Sequence, residues 1–421
     1  MDVCIFYEHA QRELNNAFLL KYEFEKRGYD VEILKIRASR IPYFKKPRLI
    51  ITPWLYNGHE SIQPVKICFF RGFDKLINLQ YEQVISKALL MQGLHCPSGL
   101  AQNATHVCWS EKIKRRLMSV GVPKDNCLVV GDLRCDFSRE PFKKIFKSKK
   151  ILSEEFGIPI DNKWNLFISS FSYTTLDEKH EKFLLKLMPN EELFYEFVDI
   201  QTKSKKEVLR WIEKFISNHP DIEFIYRPHP SELEDNDLIN LNEKYVNFHC
   251  ISKYSIQEWI VNSDIINSWF STSLIEVYSF GKNCNILRPF KLNELFDVPY
   301  MINATHIKDY DSFERCNLID NGEFPVSEEQ LREFYLFDDY PVYKKIVDYA
   351  EIMMNSDEYK SNFYKYPPFL ENLRLLIPKI FGRSLFVFLK EFLFKHPESI
   401  ENEEYFSEKR KKQLKEFVYN E

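Results

Sequence analysis

The sequence predicts an α/β protein with two parallel-sheet domains followed by a helical tail. Short apolar runs alternate with segments of helical periodicity along most of the chain, as expected of sheets whose faces are covered by helices. A polar, lysine-rich stretch without a strand pattern, residues 136–152, divides these elements into two sets. The length of 421 residues suits two domains, and 44% hydrophobic with 29% charged residues is ordinary for a globular protein.

The first domain, residues 1–140, opens with an apolar run typical of a buried parallel strand. A segment with an apolar helical face follows, and Gly28 is positioned to cap its carboxyl end. Residues 78–91 predict either a helix or a strand–helix unit. The predicted strands span residues 3–7, 30–36, 48–53, 66–70, 105–109 and 127–131, and the predicted helices span residues 13–27 and 110–121.

The second domain, residues 151–345, repeats this alternation. One of its helices begins with Ser255-Ile-Gln-Glu258, a pattern that forms a capping box at helix N-termini. Because both domains are of the α/β type and similar in size, we expect them to face each other across a cleft. The predicted strands span residues 165–169, 223–226, 264–270 and 283–287, and the predicted helices span residues 205–217, 255–262 and 273–280.

The tail, residues 346–421, has a helical and aromatic pattern. Residues 380–394 are strongly apolar, but they are too few and too charged to span a bilayer. Two interpretations stay open: a packed helix with a solvated basic end, or a surface helix that contacts anionic lipid. The basic residues of this end are Lys409, Arg410, Lys411, Lys412 and Lys415.

Composition argues against several functional classes. The 11 glycines form neither G-x-G-x-x-G nor G-x-x-x-x-G-K-[ST], so a Rossmann dehydrogenase or a P-loop NTPase fits poorly. The net charge of −4 gives no general attraction for nucleic acid. The nine cysteines include no C-x-x-C pair, which indicates reduced cytoplasmic thiols and no zinc site. Met1 leads directly into a strand pattern, so no signal peptide is expected.

A proline-flanked histidine follows a strand of the second domain. The segment Ile225-Tyr-Arg-Pro-His-Pro-Ser-Glu232 is therefore predicted to lie at the carboxyl edge of the sheet, where open α/β folds bind ligands. Pro228 and Pro230 restrict the chain on either side of His229, and Arg227 adds a charge suited to phosphate. The alternative is a surface turn shaped by the two prolines.

Hydroxyl groups follow two other strands of this domain. Ser271, Thr272 and Ser273 lie where a helix is predicted to begin, and a helix N-terminus offers free N–H groups to an anion. Glu276, one turn later, could accept a hydrogen bond from a ribose hydroxyl; alternatively, Ser273 and Glu276 form only a capping box. Ser170 belongs to a third hydroxyl-rich turn, whose alternative is an ordinary polar loop. Together these segments predict a phosphate site.

Carboxylates follow the early strands of the first domain. Glu8 and Glu13 join the first strand to the first helix, and Glu82 lies in the polar stretch Asn78-Leu-Gln-Tyr-Glu-Gln83. Each is a candidate general base, although Glu13 could serve only the helix dipole and Glu82 could be a solvated residue. No Asp-x-Asp motif follows a strand, so a divalent metal is not expected. A weaker pair of candidates is His59 and Glu60.

These motifs resemble those of bacterial GT-B glycosyltransferases. Arg227-Pro-His-Pro230 followed by Ser271-Thr-Ser273 is similar to the paired motifs of CMP-sugar sialyltransferases and Kdo transferases and of CDP-glycerol teichoic acid polymerases. The resemblance covers residues 1–345 and implies two facing Rossmann-like domains. It also implies that His229 and residues 271–273 hold the donor phosphate, that Glu276 lies near the ribose, and that a first-domain carboxylate is the base. The sialyltransferases' Asp-Asp-Gly or Glu-Asp-Gly element is absent, which leaves the base unassigned.

The resemblance implies an inverting, metal-independent glycosyltransferase that needs no cofactor. A CMP-sugar, such as CMP-Kdo or CMP-sialic acid, would donate to a capsule or lipopolysaccharide glycan, which could be lipid-linked. A first-domain glutamate would deprotonate the acceptor, while His229, Arg227 and a helix N-terminus stabilise the leaving phosphate. The alternatives are a CDP-glycerol glycerophosphotransferase, a UDP-sugar epimerase and a non-catalytic glycan-assembly protein. We expect a cytoplasmic location, with peripheral contact to the inner membrane as a hypothesis, and no nucleic-acid partner.

Overall fold

The computed structural model describes residues 1–36, 46–56, 74–186, 188–232, 235–320, 322–356 and 407–421. The chain forms two compact units, and the first is discontinuous in sequence: it comprises Met1–Gln83, His95–Asp136 and Arg332–Glu421. The second unit comprises Val84–Leu94 and Phe137–Leu331. Three features of the sequence analysis lie outside the described residues, namely the strand at 66–70, the pair His59 and Glu60, and the apolar segment 380–394.

Each unit contains a six-stranded sheet in which every pairing is parallel. The strand order is β2-β1-β3-β4-β5-β6 in the first unit and β12-β11-β10-β7-β8-β9 in the second. The predicted class of two parallel-sheet α/β domains is thereby confirmed. The strands are β1 Val3–Tyr7, β2 Val31–Lys35, β3 Leu49–Thr52, β4 Lys75–Asn78, β5 Thr105–Cys108, β6 Cys127–Val129, β7 Lys163–Ile168, β8 Ile222–Arg227, β9 Phe248–Cys250, β10 Ile265–Ser268, β11 Asn285–Leu287 and β12 His306–Ile307.

Helices lie in most of the connections between consecutive strands, as parallel pairing requires a crossover. In the described part of the chain the helices are α1 Ala10–Lys26, α2 Lys87–Met91, α3 Glu111–Ser119, α4 Lys149–Phe156, α5 Glu178–Leu185, α6 Glu191–Asn218, α7 Asn236–Lys244, α8 Ile256–Asn262, α9 Leu274–Ser279, α10 Tyr310–Leu318, α11 Glu328–Phe334, α12 Val342–Asn355 and α13 Glu408–Asn420. None of them is long and apolar enough to cross a membrane.

Some elements differ from the sequence-based expectation. The strands β4, β9 and β12 were not predicted. The strands β9 and β12 are edge strands of only three and two residues and carry too few positions for a pattern, whereas β4 overlaps only the first residue of the unit expected at residues 78–91. Helix α6 begins fourteen residues before the predicted start, since the buried polar residues Gln201, Ser204 and Lys205 interrupt its apolar stripe. The capping box at α8 is not formed as expected: Ser255 makes no bond to a backbone N–H and instead donates to Glu258 Oε2 at 3.0 Å.

The second unit has an aromatic core, which accounts for much of the high aromatic content. Phe167, Phe171 and Trp269 follow or end neighbouring strands and lie in ring contact, with Phe171 and Trp269 centroids 5.1 Å apart. Trp211 and Phe215 of α6 pack against the same core. This packing fixes the carboxyl ends of the central strands, because large rings in edge-to-face and offset contacts resist displacement.

The C-terminal helices pack on the first unit. Asp136 caps α12 by accepting from the backbone N–H groups of Val342 and Tyr343, at 3.0 and 2.8 Å. At the other end of α12, the buried Lys75 donates to the carbonyl oxygens of Met353 and Ser356. A carboxylate at the N-terminus and an ammonium at the C-terminus both complement the helix dipole. The structure therefore ties residues that follow the second unit back to the first sheet.

Candidate functional site

Three predicted segments come together at the carboxyl edge of the second sheet. Strands β10, β7 and β8 are neighbours, and Ser268, Ile168 and Arg227 are register partners across them. The residues that follow these three positions must therefore emerge side by side. They are Ser169 and Ser170 after β7, Pro228 and His229 after β8, and Ser271, Thr272 and Ser273 after β10.

His229 is held in one orientation by its own turn. Its Nδ1 accepts from the backbone N–H of Ser231 at 3.1 Å, and its backbone N–H donates to Glu232 Oε2, also at 3.1 Å. An Nδ1 that accepts a hydrogen bond leaves the proton of the neutral imidazole on Nε2. The geometry thus presents Nε2–H as a hydrogen-bond donor, which is the role that a phosphate oxygen requires.

Glu232 organises this turn, and its role was not predicted. Its side chain is fully buried and accepts from Ser169 Oγ at 2.6 Å and from Tyr226 Oη at 2.9 Å. Lys205 of α6 pairs with it at 2.7 Å. A buried carboxylate is tolerated only when it is paired and hydrogen-bonded in this way, so the network rigidifies the segment that carries His229. The available clue was the position of Glu232, three residues after the histidine.

Three buried polar groups at this edge of the sheet have a side-chain atom without a partner among the described residues, and Ser170 is the first of them. Its Oγ is buried and has no hydrogen-bond partner in the ranges that the structure describes. The same is true of Trp269 Nε1, which follows β10, and of Arg288 Nε, which follows β11. The guanidinium of Arg288 stacks over the Trp269 ring at 5.2 Å, and one of its terminal nitrogens donates to Asp297 Oδ1 at 2.9 Å. Buried groups of this kind are normally bonded, so their concentration at one sheet edge calls for an explanation.

The hydroxyl turn after β10 differs from the prediction in two respects. Ser273 makes no side-chain cap, so the proposed capping box with Glu276 is not formed; Ser271 Oγ instead accepts from the Ser273 backbone N–H at 3.2 Å. The N–H groups of Leu274 and Glu276 are bonded to the carbonyls of Ser271 and Ser273 in a tight turn. Helix α9 therefore offers fewer free N–H groups than expected. Glu276 lies in its first turn with a buried side chain.

Arg227 lies beneath this edge. Its side chain is buried, and its guanidinium donates to the carbonyl oxygens of Ile251, at 3.2 Å, and Tyr254. Two of its donor groups therefore hold the chain that follows β9. Its predicted contact with phosphate stays a prediction, and the observed bonds assign it a supporting position in the sheet edge.

The acidic candidates of the first unit lie at the corresponding edge of the first sheet. Glu8 follows β1 and accepts from the indole Nε1 of Trp54, which follows the neighbouring β3, at 2.7 Å. Glu82 follows β4 and pairs with Arg12 of α1 at 2.5 Å. Burial raises the pKa of Glu82, but the guanidinium of Arg12 outweighs it and leaves the pKa below its ordinary value. The structure therefore keeps Glu82 ionised.

Glu13 has a different environment. It is 5% exposed, and its Oε2 accepts from the backbone N–H groups of Glu8 and His9 at 2.7 and 3.4 Å. Burial raises its pKa to about 7, while these two bonds and Arg12 act in the opposite direction. Glu13 thus lies in the first turn of α1 and holds the two residues that precede the helix, and its pKa lies near neutrality.

The stretch that carries Glu82, residues 78–83, is held in place by hydrogen bonds of its amide side chains. Asn78 lies 3.1 Å from Nδ1 of the buried His106, and Gln83 Nε2 donates to the Val107 carbonyl at 2.9 Å. Gln80, in the left-handed conformation at φ 49°, donates to the carbonyl of His95 at 3.1 Å. These three amides are fully buried, whereas Glu82 is 37% exposed and is available to a ligand.

Among the described residues, no group of three or more histidine, cysteine, aspartate or glutamate side chains could hold a metal ion.

Solved structures share this fold. The UDP-GlcNAc 2-epimerase of Neisseria meningitidis, solved with UDP-GlcNAc, aligns with a TM-score of 0.51 at 13% identity and covers 85% of this chain and 100% of its own. The UDP-GlcNAc 2-epimerase of Methanocaldococcus jannaschii gives 0.53 at 11%, with 83% and 100% covered. The wall teichoic acid polymerase TagF gives 0.53 at 10%, with 84% and 89% covered.

At these identities the likeness establishes the fold alone, which is the predicted GT-B fold with two parallel-sheet α/β domains. No protein-family model and no curated protein matches the chain.

Proposed function

We propose that this protein is a GT-B enzyme that binds a nucleotide-activated donor at the carboxyl edge of its second sheet. The observation that carries the proposal is the alignment of Ser170, His229 and Ser271 on three neighbouring strands, with the Ser170 hydroxyl buried and without a partner in the described ranges. Hydrogen-bond donors that follow the paired ends of neighbouring strands suit the oxygen atoms of a phosphate.

The donor phosphate is bound by hydrogen-bond donors rather than by a metal. The Nε2–H of His229 and the hydroxyls of Ser170, Ser271 and Thr272 donate to its oxygens. Arg227 positions the turn from below through its bonds to backbone carbonyls. Because these donors are fixed before the reaction, they stabilise the negative charge that develops as the phosphate leaves. Glu276 is the candidate for the ribose hydroxyls.

The first unit supplies the base. Glu82 is ionised by its contact with Arg12 and takes the proton of an acceptor hydroxyl. The acceptor oxygen bonds to the anomeric carbon with inversion, and the bond from that carbon to the phosphate oxygen breaks, so the nucleotide leaves with the electron pair. Glu8 is the second candidate base. Glu13 is a positioning residue for the start of α1, given its two backbone bonds.

The donor that we propose is a cytidine-nucleotide sugar of the CMP type, and the acceptor is a bacterial surface glycan. The specific support is the resemblance of the proline-flanked histidine and the Ser271-Thr-Ser273 turn to CMP-sugar transferases. The neighbours of known structure support two further candidates on the same fold: epimerisation of a UDP-sugar, and transfer from CDP-glycerol. A non-catalytic glycan-assembly protein is the remaining alternative, and it predicts binding without turnover.

Thermal unfolding in the presence of CMP, CDP, UMP, UDP and GDP tests the proposal. A ligand that binds only the folded state stabilises it by about 2.7 kcal/mol at a hundredfold excess over its dissociation constant. We expect stabilisation by CMP or CDP that is lost in His229→Ala and reduced in Ser170→Ala. The matched control is His219→Ala, because His219 precedes the same strand at the opposite end of the sheet and pairs with Glu314.

The outcome of this panel separates the candidates. Stabilisation by UDP alone would favour the epimerase, and no stabilisation by any nucleotide would contradict the proposed site. Incubation of the wild type with a radiolabelled nucleotide sugar then distinguishes transfer or epimerisation from binding without turnover.

A further inference from the structure

A groove on the first unit concentrates positive charge. It has a volume of about 590 Å³ and is lined by Lys112, Arg115, Arg116 and Ser119 of α3 together with Glu333 of α11. Three cations thus face one carboxylate. Lys112 is paired with Glu333 and also lies 4.0 Å above the ring of Phe334, so this pair forms one wall of the groove. Arg115 is exposed to solvent on the same helix.

Arg116 carries the strongest indication of a ligand in this groove. One of its terminal nitrogens donates to the carbonyl oxygen of Gln83 at 2.7 Å. Its Nε and its second terminal nitrogen are buried and have no acceptor among the residues that the structure describes. A buried guanidinium without acceptors is costly, because charged donors lose strong hydrogen bonds to water. An oxyanion would satisfy both nitrogens at once, since two parallel N–H groups match two oxygens.

The surroundings of Arg116 do not neutralise it. Burial lowers the pKa of its guanidinium, and the groups that act in the opposite direction are thiols and a phenol: Cys96, Cys108 and Tyr56. Burial and the positive charge of Arg116 both lower the pKa of the nearby His95. The Nδ1 of this histidine is buried and has no hydrogen-bond partner in the described part of the chain. The site is therefore electropositive, with several donors and few acceptors.

We propose that this groove binds an oxyanion, a phosphate or a carboxylate, carried by the glycan acceptor. The inference rests on the proposed function. It assigns the groove to the acceptor because Arg116 holds the carbonyl of Gln83, the residue next to the proposed base Glu82, while the donor phosphate is assigned to the second unit. The acceptor is thus an anionic glycan, either phosphate-bearing or built with acidic sugars.

A glycan fits the groove better than a membrane surface does. Two nitrogens of Arg116 are shielded from solvent although the residue lines the groove, so an oxyanion bonds to them only after it enters the groove and the guanidinium turns toward it. A planar bilayer would contact the exposed Arg115 and leave Arg116 without an acceptor. A flexible chain with anionic groups can contribute one oxyanion to Arg116 and still contact the groove wall at Ser119.

The test is direct titration calorimetry with three probes on the full chain: glucose 1-phosphate, glucuronate and neutral glucose. We expect saturable binding of one or both anions and none of glucose, and the preferred anion distinguishes a phosphate-bearing from an acidic-sugar acceptor. Arg115→Gln and Arg116→Gln should each weaken binding by about tenfold, in proportion to the loss of one charge-assisted contact. Lys114→Gln is the matched control, because it removes the same charge from α3 at a residue that does not line the groove.

Arg116→Gln removes the bond to the Gln83 carbonyl and can therefore disturb folding as well as binding. Arg115 is exposed, so Arg115→Gln tests anion binding without this effect on folding. Equal affinity of the wild type and Arg115→Gln, or an equal loss in Lys114→Gln, would overturn the proposal. So would groove-dependent binding to phosphatidylglycerol vesicles without binding of either sugar anion. Nucleotide stabilisation measured on the same variants separates the two proposals: a groove variant that still binds nucleotide but no anion affects only the acceptor site.

Discussion

Three carboxylates of the first unit show how the immediate surroundings of a residue decide its chemistry. Glu82 pairs with Arg12 and stays ionised, so it is suited to accept a proton from a hydroxyl at neutral pH. Glu8 accepts from the Trp54 indole and remains partly exposed. Glu13 is buried and is bonded only to backbone donors and near one cation. Sequence position alone left all three as candidate bases, whereas their neighbours distinguish an ionised, partly exposed carboxylate from a buried one that is bonded to backbone N–H groups.

Glu13 should make the stability of the protein depend on pH in a defined direction. Its pKa is about 7 in the folded protein against an ordinary value of 4.5, so the unfolded chain ionises first as the pH rises. The folded state therefore loses stability between pH 4.5 and about 8, by roughly 2–4 kcal/mol from this group. Glu13→Gln cannot ionise, and its amide oxygen can still accept from the Glu8 N–H.

Urea unfolding of the wild type and Glu13→Gln at pH 5 and pH 8 measures this effect. We expect the free energy of unfolding of the wild type to fall more steeply with pH than that of the variant. Parallel pH dependences in the two proteins would contradict the assignment, since all other titrating groups are common to both.

At the scale of strands and helices, the sequence was informative for the central strands of the second sheet, whereas β4 of the first sheet was missed although it is central and four residues long. Strands β7, β8 and β10 were predicted, and so were the polar residues that follow them. The bonds of Arg227 to Ile251 and Tyr254 could not be predicted, because their partners follow β9, an edge strand of three residues. Parallel-sheet topology therefore makes it possible to predict which polar residues lie together at the ends of the strands. It does not indicate which groups on other strands will be their hydrogen-bond partners.

The same limit explains why Glu232 was missed as an organiser of the site. Its cationic partner, Lys205, comes from the preceding long helix, and nothing in the local pattern indicates which lysine of that helix turns inward. A buried ion pair of this kind depends on how α6 packs on the sheet. Sequence reasoning found the segment that lies at the carboxyl edge of the sheet, but not the network that holds it rigid.

Gly131 marks a close approach between two segments of the first unit. It follows β6 with φ at +100°, and a Cβ at this position would lie 2.9 Å from the carbonyl oxygen of Leu336 and 3.3 Å from the Val342 side chain. Gly28 has a similar φ of +89° with no atom within 4 Å of such a Cβ. A left-handed alanine costs about 1–2 kcal/mol, and a clash with backbone adds about 1–3 kcal/mol.

We therefore expect Gly131→Ala to destabilise the protein more than Gly28→Ala. Thermal unfolding of both variants measures the difference, and hydrogen exchange of residues 336–342 should accelerate only in the first. An equal loss of stability in the two would mean that φ alone, and not the approach of Leu336, sets the requirement for glycine.

At the scale of the whole molecule, the chain returns to its first unit after completing the second. Helix α13 packs on α1, with Leu414 and Val418 fully buried and Lys415 3.6 Å from Glu25. Lys26 of α1 adds to this packing, because its Nζ donates to the Val418 carbonyl oxygen at 2.9 Å. The basic end of the tail is thus partly an intramolecular packing element, while its contact with a membrane stays a prediction.

Packing and membrane contact by this helix predict different results from two variants. Deleting residues 407–421 removes two buried aliphatic side chains, each contributing about 1.5–3 kcal/mol, so the first unit should unfold at a lower temperature. Lys409→Gln with Lys412→Gln removes two exposed charges, and it should leave the unfolding temperature unchanged because surface charges contribute little to stability. Sedimentation with phosphatidylglycerol vesicles then isolates lipid binding: only a membrane-contacting helix would lose it in the double variant. An unchanged unfolding temperature after the deletion would instead contradict the packing role, since two fully buried side chains cannot be removed without cost.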